Sequence, residues 1–167
     1  IGLFGGTFDP VHNGHLVLAR QALQELKLDK LIWIPALPWQ KSHQNISSAP
    51  LRTKLVEIAI AHESKMTIDR LEIEANHPSY SIETINFFKK CHPNDQLFYL
   101  IGADQWANFD TWKKWTDILT LCTLVVFSRN QQLLECPPCV KTFIDEHPNH
   151  VIFIDMPSVP ISSSEIR

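Results

Sequence analysis

The chain predicts an α/β protein built on a doubly wound, Rossmann-like parallel sheet. Three features carry that expectation. Short apolar runs alternate with amphipathic stretches of helical period. Glycine or proline closes several of the apolar runs. No internal repeat, low-complexity tract or linker interrupts the alternation, so the 167 residues read as one domain.

In chain order, Ile1–Phe4 reads as a buried strand and Leu16–Leu28 as a helix, with an apolar stripe at Leu16, Leu18/Ala19, Ala22/Leu23 and Leu26. Leu31–Ile34 is a second strand, closed by Pro35. Pro35 to Ala49 is polar and irregular, a candidate active-site loop. Pro50 sits where a first helical residue belongs, and Leu51–His62 follows as a helix. Met66–Asp69 reads as a short strand that Leu71–Glu74 continues. Ser81 is placed to cap a helix running to Lys90. Gln96–Ile101 is a strand ending at Gly102, and Trp106–Trp115 is aromatic-rich and partly helical. Leu121–Phe127 is a strand, Val140–Glu146 a short helix and Val151–Ile154 the last strand. Ser162-Ser163-Ser164-Glu165 has the form of a fresh helix start.

Composition narrows the classes. A net charge of -3 argues against a broad nucleic-acid footprint, which wants a basic surface. It leaves room for an anionic small molecule held by a local cluster. No apolar run approaches the roughly 18 residues of a membrane span, and Ile1–Phe4 is too short for the apolar region of a signal peptide. Cys122 lies in an apolar run and reads as core. Cys136-Pro-Pro-Cys139 followed by His147-Pro-Asn-His150 faintly resembles a zinc constellation. The gap is short and the pairs are bound by prolines, so a surface loop and helix with reduced thiols is the simpler reading, in keeping with a cytoplasmic protein.

In sheets of this class, ligands bind outside the carboxyl ends of the strands. The residues expected there are Gly5, Gly6, Thr7, Phe8, Asp9, Pro10, His12 and His15 after the first strand, and Pro35, Pro38, Trp39 and Lys41 after the second. Gly102 and Asp104 follow the fourth, with Ile161, Ser162, Ser163 and Arg167 after the last. Glycines, hydroxyls, imidazoles and two cations are parts for holding a polyphosphate. Gly5-Gly6 lets backbone approach a ligand closely, and the helix that follows offers N–H groups and a positive dipole end. His12 and His15, at i and i+3, share one face of the first turn. Neither G-x-x-x-x-G-K-[ST] nor G-x-G-x-x-G is present. A cap, a metal pair or a phosphate cradle are the readings open to the two imidazoles. With Asp9 as the only nearby carboxylate, the metal set is poor.

The run Gly6-Thr7-Phe8-Asp9-Pro10-Val11-His12-Asn13-Gly14-His15 resembles the H-x-G-H signature of the nucleotidyltransferase superfamily, in the form of its small-molecule adenylyltransferase branch. Ile161-Ser162-Ser163-Ser164-Glu165-Ile166-Arg167 is similar to the I-S-S-T-x-I-R motif of the bacterial nicotinate mononucleotide adenylyltransferases, with Ser164 keeping the hydroxyl of the usual Thr. Ile101-Gly102-Ala103-Asp104 with Trp112, and Pro78-Ser79-Tyr80-Ser81, resemble two further motifs of that family.

The resemblance implies one nucleotidyltransferase domain over residues 1–167, a few residues short in front and lacking a helical segment behind. It implies adenylyl transfer from ATP to nicotinate mononucleotide by direct in-line displacement, with Mg2+ carried on the ATP. His12, His15 and Arg167 become the expected catalytic groups. Gly5, Gly6, Thr7, Phe8, Gly102, Asp104, Ile161, Ser162 and Ser163 join them around ATP, with no protein-held metal. Lys41, Tyr80, Ser81, Trp112 and Lys113 are expected around nicotinate mononucleotide: Trp112 by stacking on the pyridine ring, and the backbone near Ser81 and Lys113 by meeting the carboxylate. The alternatives are another H-x-G-H enzyme acting on nicotinamide mononucleotide or phosphopantetheine, a non-catalytic nucleotide-binding protein, and a zinc-dependent interaction module at Cys136 and Cys139.

Overall fold

Parallel strands cannot be joined by a tight turn, and each crossover needs a dozen or more residues, usually helical. The alternation in the sequence therefore builds the architecture directly. A computed structural model describes residues 1–37, 45–129 and 134–167. They form two compact units, Ile1–Ser79 with Val159–Arg167, and Tyr80–Ser158.

The first unit holds β1 (Gly2–Gly6), α1 (Asn13–Glu25), β2 (Leu31–Pro35), α2 (Ala49–Ala59), β3 (Met66–Ile68) and α3 (Leu71–Glu74). Strand β2 is central and pairs in parallel with both neighbours, Gly2 opposite Leu31 and Leu31 opposite Met66. All five residues of β2 are buried, as expected of a strand covered on both faces. The second unit holds α4 (Ser81–Cys91), β4 (Phe98–Gly102), α5 (Ala103–Trp106), α6 (Trp115–Leu121), β5 (Thr123–Arg129), α7 (Pro138–Glu146) and β6 (Val151–Met156). Here β5 is central and parallel to both β4 and β6. The last helix, α8 (Ser163–Ile166), belongs to the first unit. The orders β3-β2-β1 and β4-β5-β6 are the two half-orders of a doubly wound sheet.

Several expectations are corrected. Strand β1 runs on through Gly5 and Gly6, which pair with Ile34 and Pro35. Helix α1 starts at Asn13, ahead of its apolar stripe, because His12 caps it. Leu71–Glu74 is a helical turn and does not continue β3: the Asp69 carboxylate accepts the Leu71 N–H at 2.8 Å, a short-range capture that favours a turn. Ser81 is the first residue of α4 and not its cap: the Tyr80 carbonyl accepts the first helical N–H groups, from Glu83 at 2.9 Å and Thr84 at 3.4 Å, and Ser81 Oγ accepts the Tyr99 hydroxyl at 3.2 Å. The aromatic stretch resolves into α5, a 3-10 turn at Phe109–Thr111 and helix α6. Leu121, expected to open the next strand, instead closes α6.

Trp33 anchors the first unit. It is fully buried, with ring centroids 4.8 Å from Phe4 and 5.1 Å from Phe8. Among the described residues its indole N–H has no hydrogen-bond partner. Deleting the ring and substituting it should therefore differ sharply. Trp33→Ala is expected to cost about 3–5 kcal/mol, whereas Trp33→Phe, which fills most of the volume and removes an unpaired donor, should cost less than about 1.5 kcal/mol. Urea unfolding midpoints distinguish the two outcomes.

Candidate functional site

The turn from β1 into α1 must satisfy the amides at the start of the helix, which have no intrahelical acceptor. Two imidazoles do so. His12 Nδ1 accepts the Gly14 N–H at 3.1 Å, and His15 Nδ1 accepts the His12 N–H at 3.2 Å. The arrangement has the reciprocal form of a capping box, with histidines in place of the usual hydroxyl and carboxylate. The rings lie 3.8 Å apart between centroids, tilted by 30°. A ring nitrogen that accepts a backbone N–H carries no proton, so each neutral imidazole is protonated at Nε2. The cap thus selects the tautomer, with the proton of each neutral ring on Nε2.

Gly14 belongs to this arrangement. A Cβ there would lie 2.9 Å from His12 Cε1 and 3.0 Å from its Nδ1. The H-x-G-H spacing is therefore steric as well as chemical: the glycine makes room for the ring that caps over it. Gly6 is constrained in the same way, because its Cβ would meet the Phe8 ring at 3.0 Å. Phe8 adopts a left-handed backbone, φ 48°, which an aromatic residue holds only under strong tertiary constraint. Its ring is buried and packs edge-on against Phe4 and His15, each at 5.2 Å.

Asp9 is the hub of the turn. Its side chain is 2 % exposed, yet its carboxylate accepts the Ser47 N–H at 3.2 Å and lies 3.7 Å from Arg167 Nη1. Burial pushes its carboxyl up. The hydrogen bonds from Ser47 and the charges of Arg167 and Arg52 outweigh that, leaving it below the ordinary value. Arg167 also donates to the Asp9 carbonyl at 2.5 Å and to Ser164 Oγ at 3.2 Å. Ser163 Oγ donates to the Pro10 carbonyl at 2.9 Å. Ser162 caps α8, accepting the Glu165 N–H at 3.3 Å, and a Cβ at Gly14 would lie 3.7 Å from Ile161 Cγ2. The first and last motifs of the sequence thus meet within one unit. Thr7, Asp9, Asn45, Ile46, Ser47, Ser164 and Arg167 line a cavity there of about 840 Å³.

Sequence reasoning missed Asp9 as a hub, and missed Ser47 and Arg52 altogether. Arg52 is buried, donating from Nη1 to the Thr7 carbonyl at 2.6 Å and from Nε to the Ser47 carbonyl at 3.1 Å. Desolvation pulls its pKa down, and the Asp9 charge opposes this. One signal was available: Arg52, Val56 and Ile60 recur at i, i+4 and i+8, which puts an arginine on the buried face of α2.

Tyr80, Ser81, Gly102, Asp104, Trp112 and Lys113 lie in the second unit. Gly102 caps α5, its N–H donating to Gln105 Oε1 at 3.2 Å, and a Cβ at Gly102 would meet nothing within 4 Å among the described residues. Asp104 is exposed, on the first turn of α5. Trp112 is half-buried, edge-on to Tyr99 at 6.2 Å. Trp106 and Phe109 take the fully buried aromatic positions instead. Lys113 Nζ stands 4.2 Å from the Tyr80 ring centroid, a cation–π contact. Lys41, with Pro38 and Trp39, lies outside the described residues. Among the described residues no group of three or more His, Cys, Asp or Glu could hold a metal ion, and no helix is long and apolar enough to cross a membrane.

Comparison with known proteins adds an independent line. The cytidylyltransferase-like sequence profile matches residues 3–167. A relative from Clostridium novyi (strain NT), named "Probable nicotinate-nucleotide adenylyltransferase", is 39% identical over 168 residues, 99% of this chain and 84% of that protein. The "Nicotinate-nucleotide adenylyltransferase" of Bacillus subtilis (strain 168) is 33% identical, over 100% of this chain and 83% of its own. The solved Plasmodium falciparum nicotinic acid mononucleotide adenylyltransferase complexed with NaAD superposes with a TM-score of 0.78 at 17% identity, covering 98% of this chain and 80% of that one. At that identity the likeness is one of fold, and it bears out the doubly wound α/β expectation.

Two outcomes follow from the geometry. Alanine usually stabilises a helix relative to glycine by about 0.5–1 kcal/mol. Gly14→Ala should instead destabilise by about 1 kcal/mol, the worth of a helix cap, because its methyl expels the His12 ring; thermal unfolding reads the sign. The depressed Asp9 carboxyl contributes stability that is complete above its unfolded value of about 4 and is lost as pH falls through its lower folded value. Asp9→Asn should therefore lower stability at neutral pH by about 1–3 kcal/mol and flatten the acid limb of the stability profile, measured by urea unfolding from neutral pH through about pH 4 and below.

Proposed function

The chain belongs to the cytidylyltransferase-like family and within it to the nicotinate-nucleotide adenylyltransferases, and from that premise we propose how its residues perform adenylyl transfer. The substrates are ATP, arriving with Mg2+ on its phosphates, and nicotinate mononucleotide. The products are nicotinate adenine dinucleotide and pyrophosphate. A phosphate oxygen of the mononucleotide attacks the α-phosphorus of ATP, and the bond from that phosphorus to the bridging oxygen of the β-phosphate breaks in line. No enzyme nucleophile takes part, so the protein's contribution is orientation and charge stabilisation.

The observation that carries this reading is the pair of histidines locked by their own helix cap. Their rings lie 3.8 Å apart between centroids and are oriented by backbone hydrogen bonds, so that their Nε2–H groups can donate to phosphoryl oxygens as charge develops. Arg167 and the Ser162–Ser163 segment bind the triphosphate, with Gly5, Gly6, Thr7, Phe8 and Ile161 shaping the phosphate side. Gly102 and Asp104 border the adenosine. Tyr80, Ser81, Trp112 and Lys113 take the pyridine nucleotide, with Lys41 at its phosphate. Arg167 is engaged with the Asp9 carbonyl and carboxylate. Polyphosphate therefore competes with a neutral carbonyl and a partly exposed ion pair, which a multiply charged anion can displace.

Pyrophosphate release from ATP, measured in parallel with nicotinate mononucleotide, nicotinamide mononucleotide and phosphopantetheine, tests the assignment. Turnover is expected with the first, and a full-length chain inactive with both pyridine nucleotides would overturn it. His15→Ala should reduce kcat by about 10²-fold or more while costing only about 1 kcal/mol of stability through the weakened cap. Near-normal turnover would leave His15 a capping residue alone.

A further inference from the structure

Arg52 is the only buried cation among the described residues. It is 1% exposed, and nothing in the proposed chemistry uses it. Burying a guanidinium is unfavourable, and an apolar side chain of similar volume often serves stability equally well. The hydrogen bonds of Arg52 show what the charge accomplishes. From α2, its Nη1 holds the Thr7 carbonyl at 2.6 Å and its Nε holds the Ser47 carbonyl at 3.1 Å. The Ser47 N–H in turn holds the Asp9 carboxylate at 3.2 Å. The result is a closed ring of hydrogen bonds around three consecutive residues, Thr7, Phe8 and Asp9. Thr7 is fixed through its carbonyl and Asp9 through its carboxylate. Between them Phe8 is held at φ 48°, with its ring edge-on to the His15 imidazole at 5.2 Å.

We propose that Arg52 is a positioning residue for adenylyl transfer: by clamping Thr7 and Ser47 it holds Phe8 in its left-handed conformation and so sets the orientation of the His15 imidazole. It acts through Phe8 and touches no substrate. The planar fork matters more than the charge, because two carbonyls in different segments are bound at once. The inference rests on the adenylyl-transfer reading for its kinetic consequence, and on the geometry alone for its structural one.

The test uses the full-length enzyme with Arg52→Met, apolar and of similar length, and Arg52→Lys, which keeps the charge and loses the fork. Fold is followed by thermal unfolding, kcat and KM by pyrophosphate release, and the imidazoles by 1H–13C NMR of the histidine rings without substrate. The folded Met variant should lose about 10–100-fold in kcat, as for a reacting group misplaced by about an ångström. KM for ATP and for nicotinate mononucleotide should stay within about three-fold, since a misaligned His15 weakens transition-state binding more than ground-state binding. Arg52→Lys should fall between Met and wild type, and the His15 ring resonances should move in both variants. Wild-type kcat in the folded variants, or unmoved His15 resonances, would overturn the proposal. So would failure of both variants to fold, which would make Arg52 a folding residue only. If the wild-type chain releases no pyrophosphate, the functional reading fails, and the imidazole resonances still decide whether Arg52 positions His15.

Discussion

The acceptance of the Gly14 and His12 amides by the two imidazole Nδ1 atoms links the folding of this chain to its proposed chemistry. A helix start inside a protein must find acceptors for its first N–H groups. An ionised aspartate would supply one and carry no donor of its own. A neutral imidazole supplies one on Nδ1 and still carries a donor on Nε2, so the residues that finish the helix are also the donors of the proposed site. Gly14 has to be small for His12 to fold back, and His15 has to sit three residues on to complete the reciprocal cap. The short signature is thus one geometric solution in which the spacing of His12, Gly14 and His15 completes the cap.

The polar layer beneath that cap is organised by charge in a buried setting. Asp9 and Arg52 are each nearly inaccessible, and each is costly to bury alone. Their mutual field, with the Ser47 amide and Arg167, brings the Asp9 carboxyl below its ordinary range against the opposing effect of burial. The same interactions tie the β1–α1 turn to the segment entering α2 and to the last helix. The aromatic group of Phe4, Phe8 and Trp33 gives this layer a rigid floor. A strained Phe8 persists because packing on one side and hydrogen bonding on the other leave it no alternative.

The alternation of strands and helices and the order of the motifs are legible in the sequence, because hydrophobic period and local glycine chemistry are written in neighbouring residues. Boundaries are less so. The apolar stripe marks where α1 is buried, yet a cap precedes the first buried turn. Leu71–Glu74 has the composition of a strand extension, but the Asp69 side chain captures the Leu71 amide and turns the chain. Ser81 is a residue type that caps helices, but the carbonyl of the preceding Tyr80 already accepts the first helical N–H groups.

What the sequence determined by itself is the fold class, the family and the identity of the two histidines, since each depends on residue types at short, fixed spacing. What only the tertiary structure decided is how those histidines are held. Arg52 meets Thr7 across 45 residues and Ser163 meets Pro10 across 153. No local period specifies such a partner. A buried guanidinium or hydroxyl takes whichever carbonyl the packing brings within reach, and only the folded chain brings it there.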